Sequence, residues 1–178
     1  WCNGSVGMIG CSYFALVQLL AATHQPEALK AIFPYDGYTD MYRHRSTHGG
    51  VPHMGFSSSW FSAVANLNFT SGRLEDPSGL QHMFKDGLSL THPFDGEQYQ
   101  KRSPGPNLDK INIPVYFGCD WSFWWLHLAG VFTGWEGVGD VPKRMLVGPQ
   151  PRPRRPFGAY HEEALRWYDQ WLKGMDTG

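Results

Sequence analysis

One hexapeptide constrains this chain more than any other stretch: Gly10-Cys11-Ser12-Tyr13-Phe14-Ala15, set between a short apolar run and a helix-forming one. Before it, Val6-Gly7-Met8-Ile9-Gly10 is apolar and Gly-flanked, as a buried strand would be. After it, Phe14 to Thr23 is rich in good helix formers, and Pro26 closes the run or follows it. Leu29-Lys30-Ala31-Ile32-Phe33-Pro34 is a second buried-strand candidate. Strand, tight turn, helix and strand make a βαβ unit, which requires a parallel sheet. The expected class is therefore α/β, a parallel sheet flanked by helices.

The turn itself has the composition of a nucleophile elbow. Such an elbow ends a strand in a very sharp bend into a helix, so small residues must flank the nucleophile where side chains would collide. Gly10 meets this before Ser12, and Ala15 meets it after, less strictly than glycine would. The bend would expose the Ser12 hydroxyl at a helix N-terminus, with the Tyr13 N–H facing a developing oxyanion. The alternative is a serine that only N-caps the helix, and the turn alone leaves both open.

Regularity weakens from about residue 37 to 100, where Gly, Ser, His and Asn are frequent and short amphipathic pieces such as Trp60 to Leu67 appear. This reads as a helical cap inserted at the carboxyl edge of the sheet, where lids over sites are built. Ile113 to Gly118 is a third strand and Lys143 to Gly148 a fourth, with a heavily aromatic helix from Trp121 to Phe132 between them. Pro149 to Pro156 carries four prolines and three arginines and must be a loop. His161 to Lys173 repeats apolar residues at helical spacing, and Gly174 is placed to cap it. The expected organisation is a βαβ part of the core over 1–36, the cap over 37–100, and remaining core strands with a terminal helix over 101–178. The chain opens at Trp1 and stops just past a helix, so it reads as an excerpt of a longer protein.

Composition excludes several classes. A net charge of −1 offers no electrostatic grip on nucleic acid or an anionic membrane. No apolar run reaches the roughly 18 residues of a membrane span. The three cysteines, Cys2, Cys11 and Cys119, form neither a disulfide framework nor a zinc signature and favour a reducing compartment, the cytoplasm. The histidines of the middle segment (His44, His48, His53, His82 and His92) lack ligand spacing, so no metal is expected.

A serine nucleophile needs a base, and the base an orienting carboxylate, in the chain order Ser, acid, His. Asp120 directly follows the third strand, where an acid belongs, though it could equally cap the helix beginning near Trp121. His161 is the first histidine after the fourth strand; the alternative there is an exposed histidine in a helix's first turn. Trp121, Trp124 and Trp125 are candidates to line an acyl pocket, against the commoner role of core packing. Arg152, Arg154 and Arg155 fit a solvated loop better than a carboxylate site, and Cys11 and Cys119 are taken as packing residues.

These residues resemble the cocaine esterase and Xaa-Pro dipeptidyl-peptidase group of serine hydrolases (S15-type, CocE/NonD), within the α/β-hydrolase superfamily. The resemblance rests on blocks in that family's order. They are Gly7 to Tyr13, Pro26 to Pro34, Asp40-Met41-Tyr42-Arg43 with Gly49-Gly50-Val51, Arg102-Ser103-Pro104, Ile111 to Pro114, Gly118-Cys119-Asp120, and Leu165 to Gly174. It implies an α/β-hydrolase fold fragment, with Ser12 as nucleophile, Asp120 as acid and Tyr13 N–H as one oxyanion donor. A second donor would precede the chain, and a β-sandwich would follow it. The family's Gly-Pro-Trp-x-His segment corresponds here to Gly148-Pro149-Gln150-Pro151-Arg152, so an arginine stands where the base is expected, and arginine cannot act as one. Arg155-Pro156-Phe157 followed by His161 resembles a shifted arrangement, which makes His161 the preferred base.

The expected function is hydrolysis of an ester or amide, in a small molecule or short peptide, through an acyl-enzyme. No cofactor is implied, and homo-oligomerisation stays open. The competing reading, motivated by Arg152, is a catalytically impaired hydrolase-like domain used for binding or scaffolding.

Overall fold

The computed structural model describes residues 2–70, 91–148 and 157–178. Four strands form the main sheet: β1 (Val6–Cys11), β2 (Leu29–Tyr35), β5 (Val115–Asp120) and β6 (Lys143–Gly148). They pair in the order β1-β2-β5-β6, and every pairing is parallel. A two-residue hairpin, β3 (Thr47–His48) and β4 (Val51–Pro52), lies apart from it. The helices are α1 (Tyr13–Thr23), α2 (Met54–Thr70), α3 (Glu97–Gln100), α4 (Ala129–Gly137) and α5 (His161–Lys173). Each expected core strand and terminal helix is present, and β2 and β5 run on to Tyr35 and Asp120.

Side chains alternate across a strand, so each strand serves two layers. Ile32 of β2 and Val115 and Phe117 of β5 point to one face, where Leu19 and Ala22 of α1 and Val131 of α4 close over them. Ala31, Phe33 and Tyr35 of β2 and Tyr116 of β5 point to the other face, where Ala164 and Trp167 of α5 cover them. Burying each large side chain contributes about 1.5–3 kcal/mol, enough for these two clusters to hold both helix layers. β2 is buried at every position but Lys30, which is why its sequence is a nearly unbroken apolar run. Helix α5 ends as its sequence implies: Gly174 takes the left-handed conformation (φ 68°, ψ 24°) at the cap.

Gln18 fastens the sheet behind the elbow. Fully buried, it donates to the carbonyl of Phe14 (2.9 Å) and accepts from the backbone N–H of Phe33 (3.1 Å). The Ser12 N–H donates to the Tyr35 carbonyl (2.9 Å), which ties the bend to the end of β2.

The segment after β5 differs from the single helix expected there. It is a 3₁₀ turn (Trp121–Phe123), then a π-helical turn (Trp124–Leu128), then α4. Asp120 causes the break, because its carboxylate accepts the Ser122 N–H (2.7 Å) and bends the chain on leaving the sheet. Phe123 at the end of the 3₁₀ turn and Leu126 and His127 of the wider π turn all face inward.

Candidate active site

Ser12 occupies a sharp bend between β1 and α1, with φ 62° and ψ −115°. A non-glycine residue in such a conformation costs about 1–3 kcal/mol and persists only where the surroundings impose it. Gly10 makes the bend possible, since a Cβ there would lie 2.6 Å from Cβ of Phe14. Ala15, fully buried, sits on the other side against Gly37.

The hydroxyl of Ser12 makes no cap on α1. Its Oγ lies 3.1 Å from Nε2 of His127. His127 is fully buried, and its ring is stacked between Tyr38 (centroids 6.2 Å apart, planes 4° apart) and Phe123 (5.2 Å, 24°). Gly130 allows this close seating, because a Cβ there would lie 2.4 Å from Cα of Tyr38. Nε2 can accept the serine proton in the tautomer that carries its hydrogen on Nδ1. Tyr13 opens α1, so its N–H belongs to the first turn and has no intrahelical acceptor.

Asp120 ends β5, 3% exposed, and its carboxylate takes the helix-capping bond that was the alternative reading of this residue. A second carboxylate stands beside it. Asp36 follows β2, is fully buried, holds φ 51°, and accepts the Asp120 N–H (3.1 Å) and the Cys11 thiol (3.5 Å). Two buried acids therefore meet at the carboxyl edge of the sheet beside the elbow.

His161 is placed differently from the role expected of it. It is the exposed first residue of α5, and among the described residues no hydrogen bond joins it to Ser12 or Asp120. Of the three tryptophans, Trp125 lines a cavity together with Ser12, His53 and Trp60. Trp121 and Trp124 are exposed at 55% and 70% and do not line it. Arg152, Arg154, Arg155 and His82 lie outside the described residues. Among the described residues, no group of three or more His, Cys, Asp or Glu side chains could hold a metal, and no helix is long and apolar enough to cross a membrane.

His127 and Asp36 are the site residues that sequence reasoning missed. His127 carried a usable signal: it follows Asp120 by seven positions, so Ser12, Asp120 and His127 keep the order Ser, acid, His. It lies in a run of aromatic residues, which masks that signal. Asp36 had a weaker signal, a lone acid directly after the buried run of β2.

A second cavity, about 320 Å³, opens on Ser12 from the cap side and is lined by Tyr38, Arg45, Trp60 and Phe61 among others.

The model of the X-Pro dipeptidyl-peptidase (S15) family matches residues 1–151. A Bacillus cereus protein with a provisional Xaa-Pro dipeptidyl-peptidase name is 23% identical over all of this chain, and the chain spans 31% of its length. A CocE/NonD family hydrolase from Staphylococcus aureus superimposes with a TM-score of 0.81 at 28% identity, over 99% of this chain and 30% of that one. An acylaminoacyl peptidase from Pyrococcus horikoshii shares the fold, with a TM-score of 0.63 at 14% identity over 99% of this chain and 25% of that one.

Proposed function

The chain belongs to the X-Pro dipeptidyl-peptidase (S15) family, and from that membership we propose a serine hydrolase in which Ser12 attacks an ester or amide carbonyl and His127 takes its proton. The family is one of peptidase- and esterase-type hydrolases, and the α/β-hydrolase fold accords with it. The observation that carries the finer reading is the 3.1 Å approach of Ser12 Oγ to His127 Nε2, from a serine held at positive φ.

The steps follow from that contact. Ser12 Oγ bonds to the carbonyl carbon as its proton passes to Nε2. The carbonyl π pair moves onto oxygen, where the Tyr13 N–H meets it; one such donor lowers the barrier by about 3–4 kcal/mol. The imidazolium then returns the proton to the leaving oxygen or nitrogen as that bond breaks, giving an acyl-serine. Water, deprotonated by the same imidazole, attacks the acyl carbon, and the imidazolium returns that proton to Ser12 Oγ as the acyl bond breaks, releasing the acid. Asp120 is the proposed acid partner of the imidazole, by its place in the family order; Asp36 holds the backbone of Asp120.

His161 remains a second candidate base, because it follows β6 where the resemblance puts the histidine. Fluorophosphonate labelling of the intact protein decides between them. Ser12 should be labelled in wild type, labelling should collapse in His127→Gln, and His161→Gln should label normally. The reverse pattern would transfer the role to His161. A folded protein without any Ser12 adduct would favour a hydrolase-like domain without turnover.

A further inference from the structure

Arg45 lies 7% exposed in the wall of the 320 Å³ cavity that also contains Ser12. Its guanidinium sits over the ring of Phe61, 4.7 Å from the centroid. It donates one side-chain hydrogen bond, to Ser46 Oγ at 3.2 Å. A guanidinium has five N–H donors and keeps its charge in proteins, so a buried one ordinarily has an acid beside it.

Among the described residues, Arg45 has no such acid. The acids nearest to it in sequence among the described residues of this segment pair elsewhere: Asp40 and Asp95 both pair with the exposed Arg43 at 2.8 Å, and Glu97 pairs with Lys101 at 2.5 Å. No Asp or Glu is among the described residues lining the cavity. Tyr38, Tyr99 and His53 are ionisable groups that interact with Arg45, and His92 and Arg102 also line the cavity; none is a carboxylate, and burial raises the Tyr38 hydroxyl above its ordinary value, so it offers no negative charge near neutral pH. Desolvation, the largest influence on Arg45 itself, acts against its charge. The buried cation is stabilised by a π face and one hydroxyl, and its other donors are left for an incoming group.

We propose that this cavity selects ester or amide substrates bearing a carboxylate, which Arg45 binds while Ser12 attacks the scissile carbonyl. Arg45 and Ser12 line the same space, and Tyr38, Trp60 and Phe61, which also line it, supply apolar walls for the intervening carbons. A guanidinium takes a carboxylate in a two-pronged, charge-assisted contact that a neutral isostere cannot make. A substrate with a free ammonium in this cavity would instead meet like charge. The inference rests on the assignment of Ser12 as nucleophile and goes beyond it in naming the substrate class.

The test uses the intact protein with three 4-nitrophenyl esters of matched length, each corrected for its spontaneous reaction in buffer: the glutarate monoester, the valerate and the 5-(trimethylammonio)valerate. The glutarate ester should exceed the valerate in kcat/KM by about tenfold or more, with the cationic ester at or below the valerate. Arg45→Gln should bring the glutarate-to-valerate ratio down to about one, and Arg45→Lys should keep part of it. Equal wild-type rates for the three esters, or a preference for the cationic one, would overturn the proposal even if Arg45→Gln failed to fold. Calorimetry on Ser12→Ala supplies an arm that needs no turnover. Monomethyl glutarate should bind about tenfold or more tighter than methyl valerate, and Arg45→Gln should remove the difference; equal binding would also overturn the proposal. Arg45-dependent binding without turnover or Ser12 labelling would sink the hydrolase reading alone.

Discussion

The backbone N–H of Asp120 donates to a carboxylate oxygen of Asp36 at 3.1 Å, joining the ends of β5 and β2 beside the elbow. Asp36 keeps a positive φ of 51°, a conformation that Asn also tolerates. Asp36→Asn should therefore preserve the hydrogen bond and fold with a loss of about 1 kcal/mol or less. Asp36→Ala leaves the buried Asp120 N–H unsatisfied and should cost about 1–3 kcal/mol in denaturant unfolding. Equal losses in the two variants would show that the bond to Asp120 is not what Asp36 contributes.

The three proposed reacting residues should separate kinetically. Ser12→Ala and His127→Gln should each lower kcat by about 10⁴-fold or more, and the double variant should lose little beyond either one, because they act as a unit. Asp120→Asn should fall by a comparable factor if Asp120 orients the imidazole. Multiplicative losses in the Ser12 and His127 pair would argue against a shared proton transfer.

The elbow should not accept a side chain at position 10. A Cβ on Gly10 would meet Cβ of Phe14 at 2.6 Å, a contact with the root of that side chain rather than its ring. Gly10→Ala should cost about 1–3 kcal/mol and reduce Ser12 labelling. Phe14→Ala should not rescue it, since the offending Cβ remains. Restored labelling in the double variant would show that the ring, not the backbone path, sets the limit.

Acid should loosen the cap next to the sheet. Burial, the largest influence on His44, lowers its pKa below the usual value, with His48 and Arg43 acting in the same direction and Asp40 opposing them. In its neutral form, Nδ1 accepts the Asp40 N–H (3.2 Å). The unfolded chain then binds more protons, so stability rises with pH through this window. The His44 contribution should be complete above about pH 6.5, the unfolded value, and should shrink as pH falls toward the lower folded value. His44→Asn, which keeps an acceptor near Asp40, should flatten the dependence of melting temperature on pH between about 7 and 5. An unchanged slope would remove His44 as its source.

Much of the core was legible in the sequence. Buried strands such as Leu29 to Tyr35 show themselves by apolar content, because a parallel strand covered on both faces has no polar side. The Ser12 turn was legible because its sharp backbone excludes Cβ atoms at fixed offsets, a demand written directly into Gly10. Helix α5 was legible down to its ends, from apolar spacing and a glycine cap.

The partner of Ser12 was not legible, and the reason is physical. The local sequence around a serine dictates its backbone bend, whereas the histidine that reaches its hydroxyl arrives from 115 residues away. The chain order Ser, acid, His admits His127 and His161 alike, and the residues around His127 do not tell a ring stacked for packing from one aimed at a hydroxyl. That choice follows from the Asp120 cap, the π turn and the close pass of Gly130 over Tyr38, which together rotate the ring toward Ser12. The same holds for Asp36 and Arg45: the sequence reveals that they are charged, but only tertiary packing buries one against Asp120 and leaves the other facing the cavity that Ser12 also lines. Sequence by itself determined the sheet, the elbow and the place of Ser12 in it, since these depend on near neighbours and polarity. Tertiary structure decided which distant side chains face Ser12, since those approaches are set by packing between elements that no local pattern encodes.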